Sequence, residues 1–132
     1  MIQISTDKNR LDFKIIQGFL TTTYWAKGRT LEEVNTSIEH SLCFGVYLED
    51  KQIGFARIVS DYMVFAYLMD VFILPEYRGK GYSKALMKAI LEEPKLKPCK
   101  VWLLKTSDAH GLYKQFGFTE LKHPEKLMER LL

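Results

Sequence analysis

The sequence predicts a single α+β domain, a mixed and mostly antiparallel central sheet with helices on both faces. Three observations lead there. Residues 42–48 and 53–59 are apolar runs joined by the polar turn Glu49-Asp50-Lys51-Gln52, a hairpin signature. Residues 62–74 are the most apolar stretch of the chain, interrupted by Asp70, as expected of a central strand covered on both sides. Beyond it the patterns alternate strand, helix, strand, helix, strand, which places helices on the faces of the sheet.

Size and composition agree. A chain of 132 residues is one domain, spanning 1–132. At about 150 residues a chain buries roughly 70% of its unfolded surface, enough for a core without staples. Hydrophobic residues make up 47% and charged residues 27%, ordinary values for a soluble protein. The net charge of +3 is too small to argue for DNA or RNA, and Lys and Arg are spread along the chain rather than gathered on one face. Cys43 and Cys99 form neither a CxxC nor a disulfide framework, so core thiols and a cytoplasmic setting are expected. The N-terminus lacks a signal-peptide pattern, and no apolar run approaches the roughly 20 residues that span a bilayer. His40, His110 and His123 have no metal-ligand spacing, and no metal is expected.

In chain order, residues 2–4 alternate and suit an edge strand. A helix over residues 10–20 follows, with Asp7 or Asn9 as its cap and Leu11, Ile15 and Phe19 on one face. Residues 21–29 are an aromatic loop. Thr30 and Glu33 form a capping box that starts a second helix. After the hairpin and the long strand, Tyr82, Ala85, Leu86, Ala89 and Ile90 recur at helical spacing until Pro94 stops them. A short strand over 101–104, a helix over 108–116 closed by Gly117, a final strand over 118–121 and a helical tail complete the expectation.

The stretch that carries chemistry is residues 69–86, M-D-V-F-I-L-P-E-Y-R-G-K-G-Y-S-K-A-L. An apolar strand turns through Pro75 into a basic, glycine-rich loop that opens a helix directly. Gly79 and Gly81 permit close backbone approach. The first amides of the helix are unpaired, and its dipole adds about half a positive charge there. Arg78, Lys80 and Lys84 surround that pole. Together these suit a pyrophosphate. The loop is neither a P-loop, which needs G-x-x-x-x-G-K-[ST], nor a dinucleotide fingerprint, which needs a third glycine where Lys84 stands.

Arg78-Gly79-Lys80-Gly81-Tyr82-Ser83 resembles the acetyl-CoA-binding motif [QR]-x-x-G-x-[GA] of the GNAT-type N-acetyltransferases, with Ser83 in place of the usual Gly or Ala. Residues 109–118, A-H-G-L-Y-K-Q-F-G-F, resemble that family's A-x-x-L-Y-x-x-x-G-F segment, with Thr106 where Asn is often found. The two segments stand in family order, and the resemblance covers residues 44–121. It implies a GNAT-like fold and transfer of an acetyl group from acetyl-CoA to a primary amine of a small molecule or peptide by direct attack. The alternative is a non-catalytic acyl-CoA-binding or regulatory module on the same fold.

Three chemical needs follow from that resemblance. A lysine-like amine is neutral in only about one molecule in two thousand at pH 7, so a base or proton relay helps. Asp70, the one charged residue of the strand, is either that base, the cap of a neighbouring loop, or the partner of Arg57 across the sheet. The resemblance implies oxyanion donors among the backbone amides of Val71, Phe72 and Ile73. It implies Tyr113 as the proton donor to the departing thiolate, where the residues alone also allow a helix residue packing on the core. The cofactor contacts it implies continue through Arg78, Gly79, Lys80, Gly81, Tyr82, Ser83 and Lys84. Tyr24, Trp25, Lys27, Arg29, Asp61 and Tyr62 are candidates for the acceptor side. The apolar tail Leu127, Met128, Leu131 and Leu132 packs either on the core or on a second chain, leaving a homodimer open.

Overall fold

The computed structural model describes residues 1–132. Its five strands are β1 (Ile2–Ser5), β2 (Leu42–Leu48), β3 (Lys51–Ser60), β4 (Phe65–Ile73) and β5 (Val101–Leu104). They lie side by side in chain order. The first three pairings are antiparallel and β4 with β5 is parallel. The helices are α1 (Phe13–Leu20), α2 (Leu31–Glu39), α3 (Tyr82–Glu92) and α4 (His110–Lys114). A parallel pair needs a crossover, and α3 supplies it between β4 and β5.

Side-chain alternation divides the core in two. Phe44, Val46, Ala56, Ile58 and Leu68 of the sheet pack with Leu86, Met87 and Ile90 of α3. On the opposite face Phe55 and Phe72 pack with Ile16, Leu20, Val34 and Ile38 of α1 and α2. Each of these buried side chains other than Ala56 contributes about 1.5–3 kcal/mol relative to exposure.

Helix starts follow their caps. Asp12, rather than Asp7 or Asn9, caps α1, its Oδ1 accepting from the amides of Lys14 and Ile15 at 3.1 Å each. Asp7 instead closes a 3-10 turn at Lys8–Arg10. The capping box of α2 forms as the sequence predicts, with Glu33 N–H on Thr30 Oγ1 and Thr30 N–H on Glu33 Oε1.

Other expectations are corrected. β4 starts at Phe65, not at 62, because Asp61 Oδ1 accepts from the amides of Met63, Val64 and Phe65 and curls that segment into a turn. At 9 residues β4 is also shorter than β3 at 10. No strand forms over 118–121. Gly117, at φ 91°, turns the chain, and Phe118 folds back on Tyr113 and Trp102 with ring centroids 6.0 and 6.4 Å away. The tail holds a 3-10 turn at Pro124–Lys126 and no helix. No helix is long and apolar enough to cross a membrane.

One irregularity positions the site. Phe55 pairs with Phe72 and Arg57 with Met69, so β4 carries one more residue than β3 across this span. Asp70 sits in this bulge at φ 55°, the left-handed region. The extra residue reverses the alternation. Ala66 and Leu68 face α3, yet beyond the bulge Val71 and Ile73 take that face and Phe72 packs towards α1 and α2.

Candidate active site

β4 and β5 pair only from Phe65–Val101 to Leu68–Leu104. Beyond Leu68, β4 continues for five residues with no partner on its β5 side. Leu74 donates its amide to Ile53 O at 2.8 Å, so strand alternation turns the Phe72 amide towards β3 and those of Val71 and Ile73 towards the open side. The Ile73 carbonyl on that side is taken by Arg78 Nε at 2.8 Å.

The opening is the wall of a cavity of about 520 Å³. Val71 and Asp70 line it from β4, Leu104 to Ala109 from the end of β5 and the loop beyond, and Tyr113 from α4. Tyr24, Trp25 and Arg29 close it from the α1–α2 loop. The two loops are joined where Ser107 N–H donates to Tyr24 Oη at 3.2 Å. Thr106 is occupied locally, its Oγ1 accepting from Ala109 N–H at 3.0 Å.

Asp70 is 4% exposed and receives three donors. Trp25 Nε1 lies 3.0 Å from Oδ1, while Arg29 Nη1 and Arg57 Nε lie 2.6 and 2.9 Å from Oδ2. Arg57 also reaches Ser41 Oγ at 3.1 Å. Of the readings the sequence left open, pairing with Arg57 across the sheet is the geometry found, with Arg29 added. A carboxylate held by two guanidinium groups and an indole is an anchor for the cavity wall, which weakens the reading of Asp70 as a free base.

Tyr113 is 9% exposed, and burial is the main cause that pushes its hydroxyl up to about 12, with Asp108 and Tyr24 adding to the rise. It packs edge-on against Phe118 and still lines the cavity. It is both a core residue and a site residue.

The glycine loop lies past the end of β4, outside the cavity lining. Gly79 and Gly81 have φ of 79° and 81°. Gly81 is the N-cap of α3 and offers no side-chain oxygen, and the first amide bonded within the helix is that of Ala85, to Gly81 O. The amides of Tyr82, Ser83 and Lys84 are therefore free of helical partners. Lys80 and Lys84 are exposed beside them. Arg78 spends its Nε on Ile73 and holds its guanidinium 5.8 Å from the Phe19 ring. Three of the six acceptor candidates lie outside the cavity lining: Lys27 in the α1–α2 loop, and Asp61 and Tyr62 in the β3–β4 turn. No cluster of three or more His, Cys, Asp or Glu is placed to hold a metal ion.

The sequence matches the GNAT acetyltransferase domain over residues 39–120. The chain belongs to the GNAT acetyltransferase family. A crystal structure from Xanthomonas campestris assigned to the GNAT acetyltransferases is 50% identical, with a TM-score of 0.97 over 100% of this chain and 94% of that one. FG08082 of Gibberella zeae, which carries an acetyltransferase designation, is 27% identical over 90% of this chain and 80% of its own length. A Clostridium acetobutylicum structure described as an acetyltransferase with acetyl-CoA shares the GNAT fold, at 15% identity and a TM-score of 0.68 over 99% of this chain and 96% of that one.

Of the residues that the sequence singled out, Asp70, Val71, Tyr113, Tyr24, Trp25 and Arg29 line the cavity and the glycine loop does not, while Lys105, Ser107 and Asp108 in the cavity wall and the link from Arg29 to Asp70 were not anticipated. The one available signal was Arg57, a lone cation in an apolar strand that needs a buried partner.

Proposed function

We propose that this GNAT protein transfers an acetyl group from acetyl-CoA to a primary amine of a small molecule or peptide. The observation that carries the reading is the unpaired stretch of β4 past Leu68, which opens a slot beside β5 that ends in a cavity faced by Val71 and Tyr113. The fold neighbour described with acetyl-CoA adds support. The pyrophosphate suits the free amides of Tyr82, Ser83 and Lys84, with Lys80 and Lys84 for its charge. The acyl arm lies along the open edge of β4.

In this reading the amine nitrogen attacks the thioester carbon, and the carbonyl oxygen takes up the charge facing the Val71 amide. Collapse breaks the C–S bond. The sulfur then needs a proton, and a CoA thiol has a pKa near 8.5, as cysteine does. Outright ionisation of Tyr113, held up at about 12, opposes that transfer. A gap of that size amounts to about 5 kcal/mol. Tyr113 therefore donates a hydrogen bond to the departing sulfur, and the proton it passes on is replaced by one from the newly acylated nitrogen. Asp70 fixes Trp25 and Arg29 in the wall that meets the acceptor. The buried unpaired thiols Cys43 and Cys99 suit a reducing, cytoplasmic setting.

The test is a melting-temperature shift with acetyl-CoA, followed by thiol release across a panel of amines. Binding raises the melting temperature by stabilising the native state. Tyr113→Phe is expected to lower the transfer rate about 10²-fold while the acetyl-CoA shift persists. No shift at saturating acetyl-CoA overturns the reading, and a shift with no turnover on any amine leaves an acyl-CoA-binding module instead.

A further inference from the structure

The cavity wall carries a cation that the chain leaves half used. Arg57 and Arg29 both bind Asp70, but they do so differently. Arg57 spends Nε on Asp70, Nη1 on Ser41 Oγ and Nη2 on Met69 Sδ, and it does not line the cavity. Arg29 lines the cavity and gives Asp70 only its Nη1. Its Nε and Nη2 have no partner in the chain, and neither is shut off from solvent. Those two nitrogens form one edge of the planar guanidinium, the edge that sets two parallel N–H groups against two oxygens of a carboxylate or phosphate.

Charge points the same way. Asp70 is one carboxylate against two guanidinium groups, and arginine stays protonated in proteins, so one positive charge is left over in a partly buried place. Glu33 stands near enough to feel Arg29, yet the Thr30 amide and hydroxyl are the main causes that hold its carboxyl low. It accepts from Thr30 N–H at 2.9 Å, outside the cavity lining. Lys105, the other cation of the lining, is paired with Glu129. Asp108 also lines the cavity, forms no ion pair, and adds to the burial that holds the Tyr113 hydroxyl up, which places a carboxylate near Tyr113. The cavity therefore offers an acidic group near Tyr113 and an open guanidinium edge on the α1–α2 loop. At about 520 Å³ it is of small-molecule size.

We propose that the acceptor is a small amine that also carries an anionic group, a carboxylate or a phosphate, with the anion seated on the Nε–Nη2 edge of Arg29 and the amine at the Tyr113 end of the cavity. Asp70, by holding Nη1, fixes the direction of that edge and is a positioning residue for the acceptor. The amine half of this inference rests on the proposed acetyl transfer; the anion site does not.

Thiol release is measured on matched amines that differ in one group: β-alanine against β-alaninamide, and O-phosphoethanolamine against ethanolamine. The anionic member of one pair is expected to be favoured about 10–100-fold in kcat/KM, the worth of charge-assisted hydrogen bonds. Which pair shows the preference separates carboxylate from phosphate. Arg29→Gln is expected to erase it by slowing the anionic member alone, with the acetyl-CoA shift in melting temperature unchanged. Arg29→Lys keeps the charge without the two-pronged edge and is expected to retain only part of the preference. Calorimetric titration of the two anionic amines into the free chain needs no turnover, and binding heat is expected with the parent and not with Arg29→Gln. Arg29-dependent heat without turnover on any amine removes the acetyl-transfer reading and supports the anion site. Equal rates on both members of each pair, an equal fall of both in Arg29→Gln, a full preference in Arg29→Lys, or no Arg29-dependent heat overturns the proposal.

Discussion

Replacing Asp70 by Asn separates the two roles open to this residue. Asparagine keeps the shape of the side chain and tolerates the left-handed φ of 55°, so the backbone bulge is not the variable. The charge is. Arg57 has a side chain only 9% exposed and would lose its counter-ion inside the protein. Breaking a buried pair in this way costs about 3–5 kcal/mol. Arg29, at 19% exposure, reaches water more readily and adds little. Arg57 keeps Ser41, and the amide oxygen still accepts one bond, which points to the lower end, about 3 kcal/mol. Against a total of about 5–15 kcal/mol the variant folds but is much weakened. At roughly 3–5 °C per kcal/mol for a domain of this size, the melting temperature falls by about 10–15 °C. The measurement is a urea titration read as a midpoint shift at constant slope. The double variant Asp70→Asn/Arg57→Met removes both charges and recovers part of the loss, a coupling that a double-mutant cycle reports. If Asp70→Asn stays within about 1 kcal/mol of the parent while transfer and its pH dependence collapse, Asp70 is a base and the anchoring argument is wrong.

Two further predictions follow from buried hydroxyl and thiol groups. Tyr47 is 2% exposed and its hydroxyl has no hydrogen-bond partner; Tyr47→Phe is expected to be neutral or to stabilise by up to about 1 kcal/mol in a urea melt, and a loss larger than that contradicts the reading. Burial holds Cys43 up at about 11 and Tyr113 at about 12. The folded state therefore keeps protons that the unfolded chain releases near pH 9 and 10, and stability is complete below pH 9 and falls as pH rises towards 12. Tyr113→Phe is expected to flatten the part of that decline above pH 10, by at most about 3 kcal/mol, and an unchanged alkaline slope counts against burial as the cause.

What the sequence made legible is what depends on near neighbours. Thr30 and Glu33 are three residues apart and find each other within one turn, so the start of α2 is readable from the two alone. The same holds for the period of α3 and for Gly81 at its start. Strand limits at 62–64 were misread because a side chain, Asp61, bonds three consecutive amides that an apolar pattern assigns to a ladder. The strand expected at 118–121 fails because pairing is decided by a distant edge, while Phe118 has closer aromatic partners in Tyr113 and Trp102. In the candidate site, Asp70 stood out as the one carboxylate of an apolar strand, and Tyr113 only through the family resemblance. Arg29 was a candidate for the acceptor side, but its pairing with Asp70 was not readable, since a separation of 41 positions is closed only by the fold.

The bulge shows why the charged cluster and the open edge belong together. With plain alternation, residue 70 would share the face of Ala66 and Leu68 and place a carboxylate in the apolar layer under α3, where an unpaired charge is prohibitive. The extra residue turns Asp70 to the other face, where Arg57, Arg29 and Trp25 receive it. A left-handed aspartate costs about 1–2 kcal/mol, and the ion cluster is what offsets it. The same step sends Val71 to the α3 face and leaves its amide on the side where β5 has already ended. On the proposed mechanism, the geometry that Val71 would offer to a reacting carbonyl is held by side chains that face the opposite layer of the molecule. A substitution among Arg29, Arg57 and Asp70 is therefore expected to act on the Val71 amide through the backbone bulge at Asp70.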